Sequence, residues 1–209
     1  MSRGLIVGVV AMAAVVVASN ILVQFLFGNW LTWGAFTYPI AFLITDITNR
    51  VYGSATARKV ILAGFTVGIL CSFVGTQIVG EFGPLVTLRI ALGSAIAFLL
   101  AQLVDVAVFN RFRSGAWWRA PLASTLVGST LDTALFFTIA FSARLSFLEP
   151  SNDVSWAGEV LPLLGFGPVF PLWVSLGIAD WLVKLSLALI ALVPFRFLVA
   201  SLLQKPSAA

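Results

Sequence analysis

"TWGAFTYPIAFLITDITNRVYG", residues 32–53, is the stretch on which the fold turns. It opens as an apolar, aromatic run that carries Pro39, then sets Asp46 and Arg50 four residues apart before a Tyr-Gly turn. Read as a short membrane span over 34–51, it makes the apolar runs of the chain even in number and brings both termini to one side. A carboxylate and a guanidinium at the end of such a run need partners, because unpaired charge is costly in hydrocarbon.

The rest of the chain supports a membrane setting. Of 209 residues, 60% are hydrophobic and 10% charged, with a mean hydropathy of +1.07. Soluble domains carry roughly 45–50% apolar residues. Seven Trp and eighteen Phe suit a helical bundle with interfacial aromatic belts. The net charge of +4 and pI of 9.8 do not indicate nucleic acid, because the cations are spread along the chain without a basic cluster. With no His and only Cys71, there is no disulfide and no ordinary zinc site, so no metal or cofactor is expected. The first twenty residues imitate a signal peptide, but the apolar run continues through "ILVQFLF" and cleavage is not expected.

Crossing about 30 Å of hydrocarbon takes about 20 helical residues. Six runs meet this approximately, over 4–27, 34–51, 57–79, 85–109, 120–143 and 171–203. One domain, 1–209, holds all six, and the expected fold is an all-α integral membrane protein. Lys and Arg divide unevenly between alternate ends. One side has nine, Arg3, Arg50, Arg58, Lys59, Arg111, Arg113, Arg119, Arg196 and Lys205, whereas the other has Arg89 and Arg144. That bias puts both termini in the cytoplasm. The segment 144–170 is too rich in Pro and Gly for a seventh span. Its apolar "VLPLLGFGPVF" either re-enters the membrane or lies on it.

Polar residues then sort by depth. Asn20 and Gln24 share a face of the first run, Asp132 is central in the fifth, and Asp180 and Lys184 sit four apart in the sixth. A mutual intrahelical pair would explain Asp180 and Lys184, and interhelical hydrogen bonding would explain Asn20, Gln24 and Gln102. Asp132 has no cation within a helical turn and is the stronger functional candidate. Asp46, Arg50, Gln102, Asp105 and Arg111 form a cytoplasmic-side group, with Asp46 pairing to Arg50 or to another inner arginine. Such a latch is either a static staple or a gate. A central polar site above a charged closure reads as a transporter. An aspartyl enzyme is not supported, since no Gly-x-Gly-Asp block is present and no His or metal set offers another mechanism.

Five blocks carry a resemblance. "ASNILVQ", the opening stretch, "GSAIAFLLAQLVDVAVFNRFR", "WWRAPLASTLVGSTLDTALFFTIAF" and "DWLVKLSLALIALVPFR" resemble, in order, the queuosine precursor transporter family, also called the vitamin-uptake-transporter-like family. The resemblance implies a six-span protein of the bacterial inner membrane, similar to the substrate-binding components of energy-coupling-factor importers. It implies uptake of a 7-deazaguanine base such as 7-cyano-7-deazaguanine, for queuosine in transfer RNA. The alternative is a binding component of an ATP-driven vitamin or nucleobase importer that needs a partner module. A homodimer through small-residue faces is open to either.

Against such a ligand, Asp132 is placed to accept from the N–H and amino edge. Asn20, Gln24 and Lys184 suit the carbonyl and the 7-substituent. Trp33, Phe36, Tyr38 and Phe136 are the rings available for stacking. The expected partners are therefore a small 7-deazapurine and the lipid bilayer.

Overall fold

The computed structural model describes residues 3–81 and 83–204. Of the cations counted above, Lys205 and the Arg3 side chain lie outside the described residues. Among the described residues, seven α-helices form the bundle: α1 (Arg3–Leu22), α2 (Gly34–Thr37), α3 (Ile40–Tyr52), α4 (Ser54–Gln77), α5 (Leu88–Phe112), α6 (Arg119–Phe141) and α7 (Leu172–Gln204). Among the described residues, α1, α4, α5, α6 and α7 are long and apolar enough to cross a membrane.

The expected second span, 34–51, is two helices rather than one. Proline has no N–H to donate to the preceding turn, so the helical ladder is interrupted at Pro39. Tyr38 and Pro39 keep right-handed helical angles, while Ala41 and Phe42 donate three residues back, to the Tyr38 and Pro39 carbonyls. The pair nonetheless runs the length of α1. Ser19 meets Thr37 at 2.9 Å near one end, and Gly8 packs against Thr48 and Val60 near the other. Gly53, at φ +84°, ends α3 in a conformation that other residues rarely adopt and turns the chain directly into α4.

The first span also differs from expectation. It stops at Leu22, not Phe27, because Leu26–Phe27 (β1) pairs antiparallel with Leu31–Thr32 (β2) in a hairpin. Two more short hairpins lie at the same end. They are Val79–Gly80 (β3) with Gly83–Pro84 (β4), and Val160–Pro162 (β5) with Val169–Pro171 (β6). The segment between α6 and α7 is a cap of 3-10 turns around β5 and β6, and it leaves Phe166 88% exposed.

The surface is apolar, and several polar side chains are buried beside the apolar core. Phe197 and Leu26 are over 70% exposed, while Asp105, Gln102, Asn49 and Arg89 are fully buried. That distribution suits a solvent of lipid tails, where apolar side chains face outward and polar groups find partners within the bundle. One apolar core joins α1, α3, α4 and α5 through Met12, Val16, Ala41, Val60, Ile61 and Phe98. A second sits at the opposite end from the hairpins, where Phe195 and Val199 of α7 pack on Phe109 and Ala120. α7 continues unbroken through Pro194 for 33 residues, so its last turns serve this second core.

Arg89 belongs to the scaffold. Its guanidinium donates to the Ile139 and Ser142 carbonyls (3.0 and 2.6 Å), satisfying the C-terminus of α6. The Glu149 carboxylate accepts from the first N–H groups of α5, at Leu88 and Arg89.

Candidate functional site

A cavity of about 460 Å³ opens toward the hairpin end, between α1, α5, α6 and α7. Ligand sites in proteins run from roughly 300 to 1,000 Å³. Its deepest polar feature is built by two helices. Asp180 and Lys184 are one turn apart on α7, and Asp132 and Thr133 face them from α6. Lys184 Nζ donates to Asp132 Oδ2 at 2.7 Å, to Thr133 Oγ1 at 3.0 Å and to Asp180 Oδ2 at 2.5 Å. The Thr133 hydroxyl in turn donates a hydrogen bond to Asp180 Oδ2 at 2.9 Å.

All three ammonium protons are therefore engaged, which is what allows Lys184 to be 4% exposed without an unpaired charge. Two carboxylates around one cation leave a net negative charge on the cavity wall. Each carboxylate meets Lys184 through Oδ2, so Oδ1 of Asp132 remains as an acceptor. The sequence offered Asp180 as a partner of Lys184 through their four-residue spacing. The fold adds Asp132, because the antiparallel packing of α6 on α7 brings residues 52 positions apart into contact.

Of the other expected binding residues, Asn20, Gln24, Tyr38 and Phe136 also line the cavity. Asn20 Nδ2 is bonded to the Val16 carbonyl at 2.8 Å, so its side-chain carbonyl is the group left for other partners. Tyr38 stands at the break between α2 and α3, with Lys184 Nζ 5.7 Å from its ring centre, a cation–π geometry. Trp33 and Phe36 do not reach the cavity. They stack edge-on against Phe27 at 4.9 and 5.0 Å, an aromatic cluster on the hairpin side. The aromatic wall is instead Phe136, Phe137 and Phe141, with Trp30 and Trp156 from the capping segments. Helical spacing could have found Phe137 and Phe141, one and two turns beyond Thr133. Trp30 and Trp156 lie in irregular segments where periodicity gives no phase.

The inner group is also rearranged. Asp46 does not pair with Arg50. It accepts from Ser124 at 3.0 Å and Thr125 at 3.4 Å on α6, and it faces the Asp105 carboxyl. Beside it, Thr45 donates to Gln102 Oε1 at 2.6 Å. Arg50 reaches instead to the Arg113 carbonyl at 2.8 Å, and Arg113 donates back to the Asn49 and Arg50 carbonyls at 3.0 and 2.8 Å. Exposed carbonyls at helix C-termini attract cations, which explains why both arginines bind backbone. Arg111, expected in this group, is exposed, and Arg113 takes the position the sequence had given it.

A multi-pass helical membrane protein enclosing a charged, aromatic-walled cavity belongs to the class that handles small molecules within the bilayer. Comparison with known proteins makes this specific. The family described as "Putative vitamin uptake transporter" matches residues 32–199. The chain is 35% identical to the "Queuosine precursor transporter" of Escherichia coli (strain K12), over 91% of this chain and 84% of that one. It is 36% identical to the "Probable queuosine precursor transporter" of Haemophilus influenzae, over 78% and 66% of the two chains. The Bacillus subtilis protein of the same name is 29% identical, over 82% and 72%. No solved structure matches. The chain belongs to this transporter family, the one its sequence blocks resemble.

Proposed function

We propose that this protein carries a queuosine precursor, a 7-deazaguanine base such as 7-cyano-7-deazaguanine, across the bacterial inner membrane by alternating access. The observation that carries the reading is the net negative Asp132–Lys184–Asp180 cluster on an aromatic-walled cavity. The base offers an N–H and an amino group side by side. A carboxylate oxygen of Asp132 accepts from that edge, and the ring stacks on Phe136 or on Tyr38. Lys184 holds the carboxylates in place and exchanges one of its bonds for the base carbonyl. The names of the relatives supply the substrate class.

In this reading α2 and α3 together make the sixth crossing, both termini are cytoplasmic, and the cavity faces outward. Transporters place substrate where a spanning helix is interrupted, and Tyr38, beside the break, lies over Lys184. The Asp46, Gln102 and Asp105 layer, with the Arg50–Arg113 backbone clasp below it, closes the path to the cytoplasm. Uptake of labelled 7-cyano-7-deazaguanine by cells expressing normally inserted variants tests the assignment. Asp132→Asn and Lys184→Ala should abolish uptake, and unimpaired uptake in both would remove them from the site.

A further inference from the structure

One buried group has no part in holding the base. Asp105 of α5 is fully buried and faces Asp46 of α3, itself 2% exposed. Neither Asp105 oxygen has an amide, cation or committed hydroxyl donor. The Ser124 hydroxyl lies near both acids, but its single proton is already shared between Asp46 at 3.0 Å and the Pro121 carbonyl at 3.2 Å. One turn along the same helix faces, Asn49 Nδ2 and Gln102 Nε2 are likewise buried and without partners. Gly128 is part of this layer, where a Cβ would lie 3.3 Å from Asp105 Cβ and 2.8 Å from Phe42. That close approach seats α6 directly against α3 and α5 at the level of the acids.

Among the described residues, no basic side chain neutralises the pair. Arg50 and Arg113 are bound to backbone carbonyls. Arg58, Lys59 and Arg111 are exposed. Arg119 stacks on Trp118 and Arg196 on Trp117. On the cavity side, Asp132, Asp180 and Lys184 are engaged with one another. Two carboxylates in contact away from water cannot both remain ionised, and a hydrogen bond between them exists only when a proton lies between them.

We infer that Asp46 and Asp105 form a proton-binding site that couples transport to a proton moving inward. The proton adds to a carboxylate oxygen of the pair, is shared with the other acid, and leaves to the cytoplasm when the layer opens, regenerating the carboxylate. Thr125, Ser129 and Thr133 connect this site to the cavity as a single buried-side stripe of α6, each one turn from the next. Thr125 touches Asp46 and Thr133 touches Lys184 and Asp180, about 12 Å apart at 1.5 Å per residue. The consequence for transport rests on the function proposed above, whereas the protonation itself does not.

Two measurements separate those parts. Infrared difference spectroscopy of the purified protein, without substrate, should show the C=O stretch of a protonated carboxyl at neutral pH. The band should shift in heavy water, disappear in Asp105→Asn and Asp46→Asn, and persist in Asp132→Asn. Its absence from the unmodified protein, or its survival in both pair variants, overturns the site. In proteoliposomes, a gradient of one pH unit, acid outside, should drive about tenfold accumulation of 7-cyano-7-deazaguanine at one proton per base. Asp46→Asn and Asp105→Asn should exchange labelled for unlabelled base without accumulating it. Accumulation that ignores pH, or follows sodium instead, overturns the coupling. Failure of the unmodified protein even to exchange the base counts against the substrate reading, and the infrared result then decides the proton site by itself.

Discussion

Lys184 Nζ and Asp132 Oδ2 lie 2.7 Å apart across the interface of α6 and α7, at the floor of the cavity. Both side chains are almost fully buried, so neither is kept charged by water. Each is kept by the other, with Asp180 and Thr133 completing the set. The arrangement fixes an acceptor at one position on the wall while holding the helices in register.

Removing the cation should cost more than removing an acid. Lys184→Met strands two carboxylates, and breaking a buried pair in this way costs about 3–5 kcal/mol. Melting of the detergent-solubilised protein should fall sharply in Lys184→Met and recover in part in Lys184→Met with Asp180→Asn. Equal melting of all three proteins would show that the cluster contributes nothing to the fold.

The aromatic residues should separate by position. Phe136→Leu should weaken binding of the base, because stacking of a base on a ring contributes about 1–3 kcal/mol. Trp33→Leu and Phe36→Leu should leave affinity almost unchanged, since these rings pack on Phe27. Equilibrium binding to the purified variants checks this, and the reverse ranking would place the base elsewhere.

At the opposite end, Arg113→Gln should alter transport rate while Arg111→Gln should not. Arg113 clasps the end of α3 through the Asn49 and Arg50 carbonyls, and Arg111 is exposed. Initial uptake rates at saturating substrate are the readout, with affinity little changed in either variant. Equal rates would reduce the clasp to packing.

Gly128→Val should lower stability by about 1–3 kcal/mol, the usual cost of overpacking. Its Cβ would fall 2.8 Å from Phe42 and 3.3 Å from the Ala101 carbonyl. Thermal melting measures the loss, and an unaffected variant would mean that α6 can move away from α3 and α5.

The long apolar runs were legible because lipid requires helices of a set length, but the second was read as one span, and its division at Pro39 emerged only in the fold. The end of the first was not legible either. "VQFLF" is as apolar as the helix before it, so hydropathy could not show that the chain leaves the helix for a hairpin. Asp180 and Lys184 read correctly as neighbours through local spacing. Asp132 could not be joined to them, since the contact depends on how two helices separated by a long cap rotate against each other. The same limit gave Arg111 the place that Arg113 takes, because two cations two residues apart at a helix end differ only in phase. Asp46 was read as half of an ion pair, and its partners on α5 and α6 are tertiary contacts without a local signature.

The central claim is that the Asp132 carboxylate reads the donor edge of a 7-deazaguanine base. Ligand-induced thermal stabilisation of the purified protein tests it most directly, comparing 7-cyano-7-deazaguanine with the analogue lacking the 2-amino group. The base should raise the melting temperature of the unmodified protein, and the analogue should bind roughly ten- to a hundredfold more weakly, as expected for losing a charge-assisted hydrogen bond of about 1.5–3 kcal/mol. In Asp132→Asn the discrimination should vanish. Equal stabilisation by both compounds, or discrimination that survives Asp132→Asn, would contradict the account.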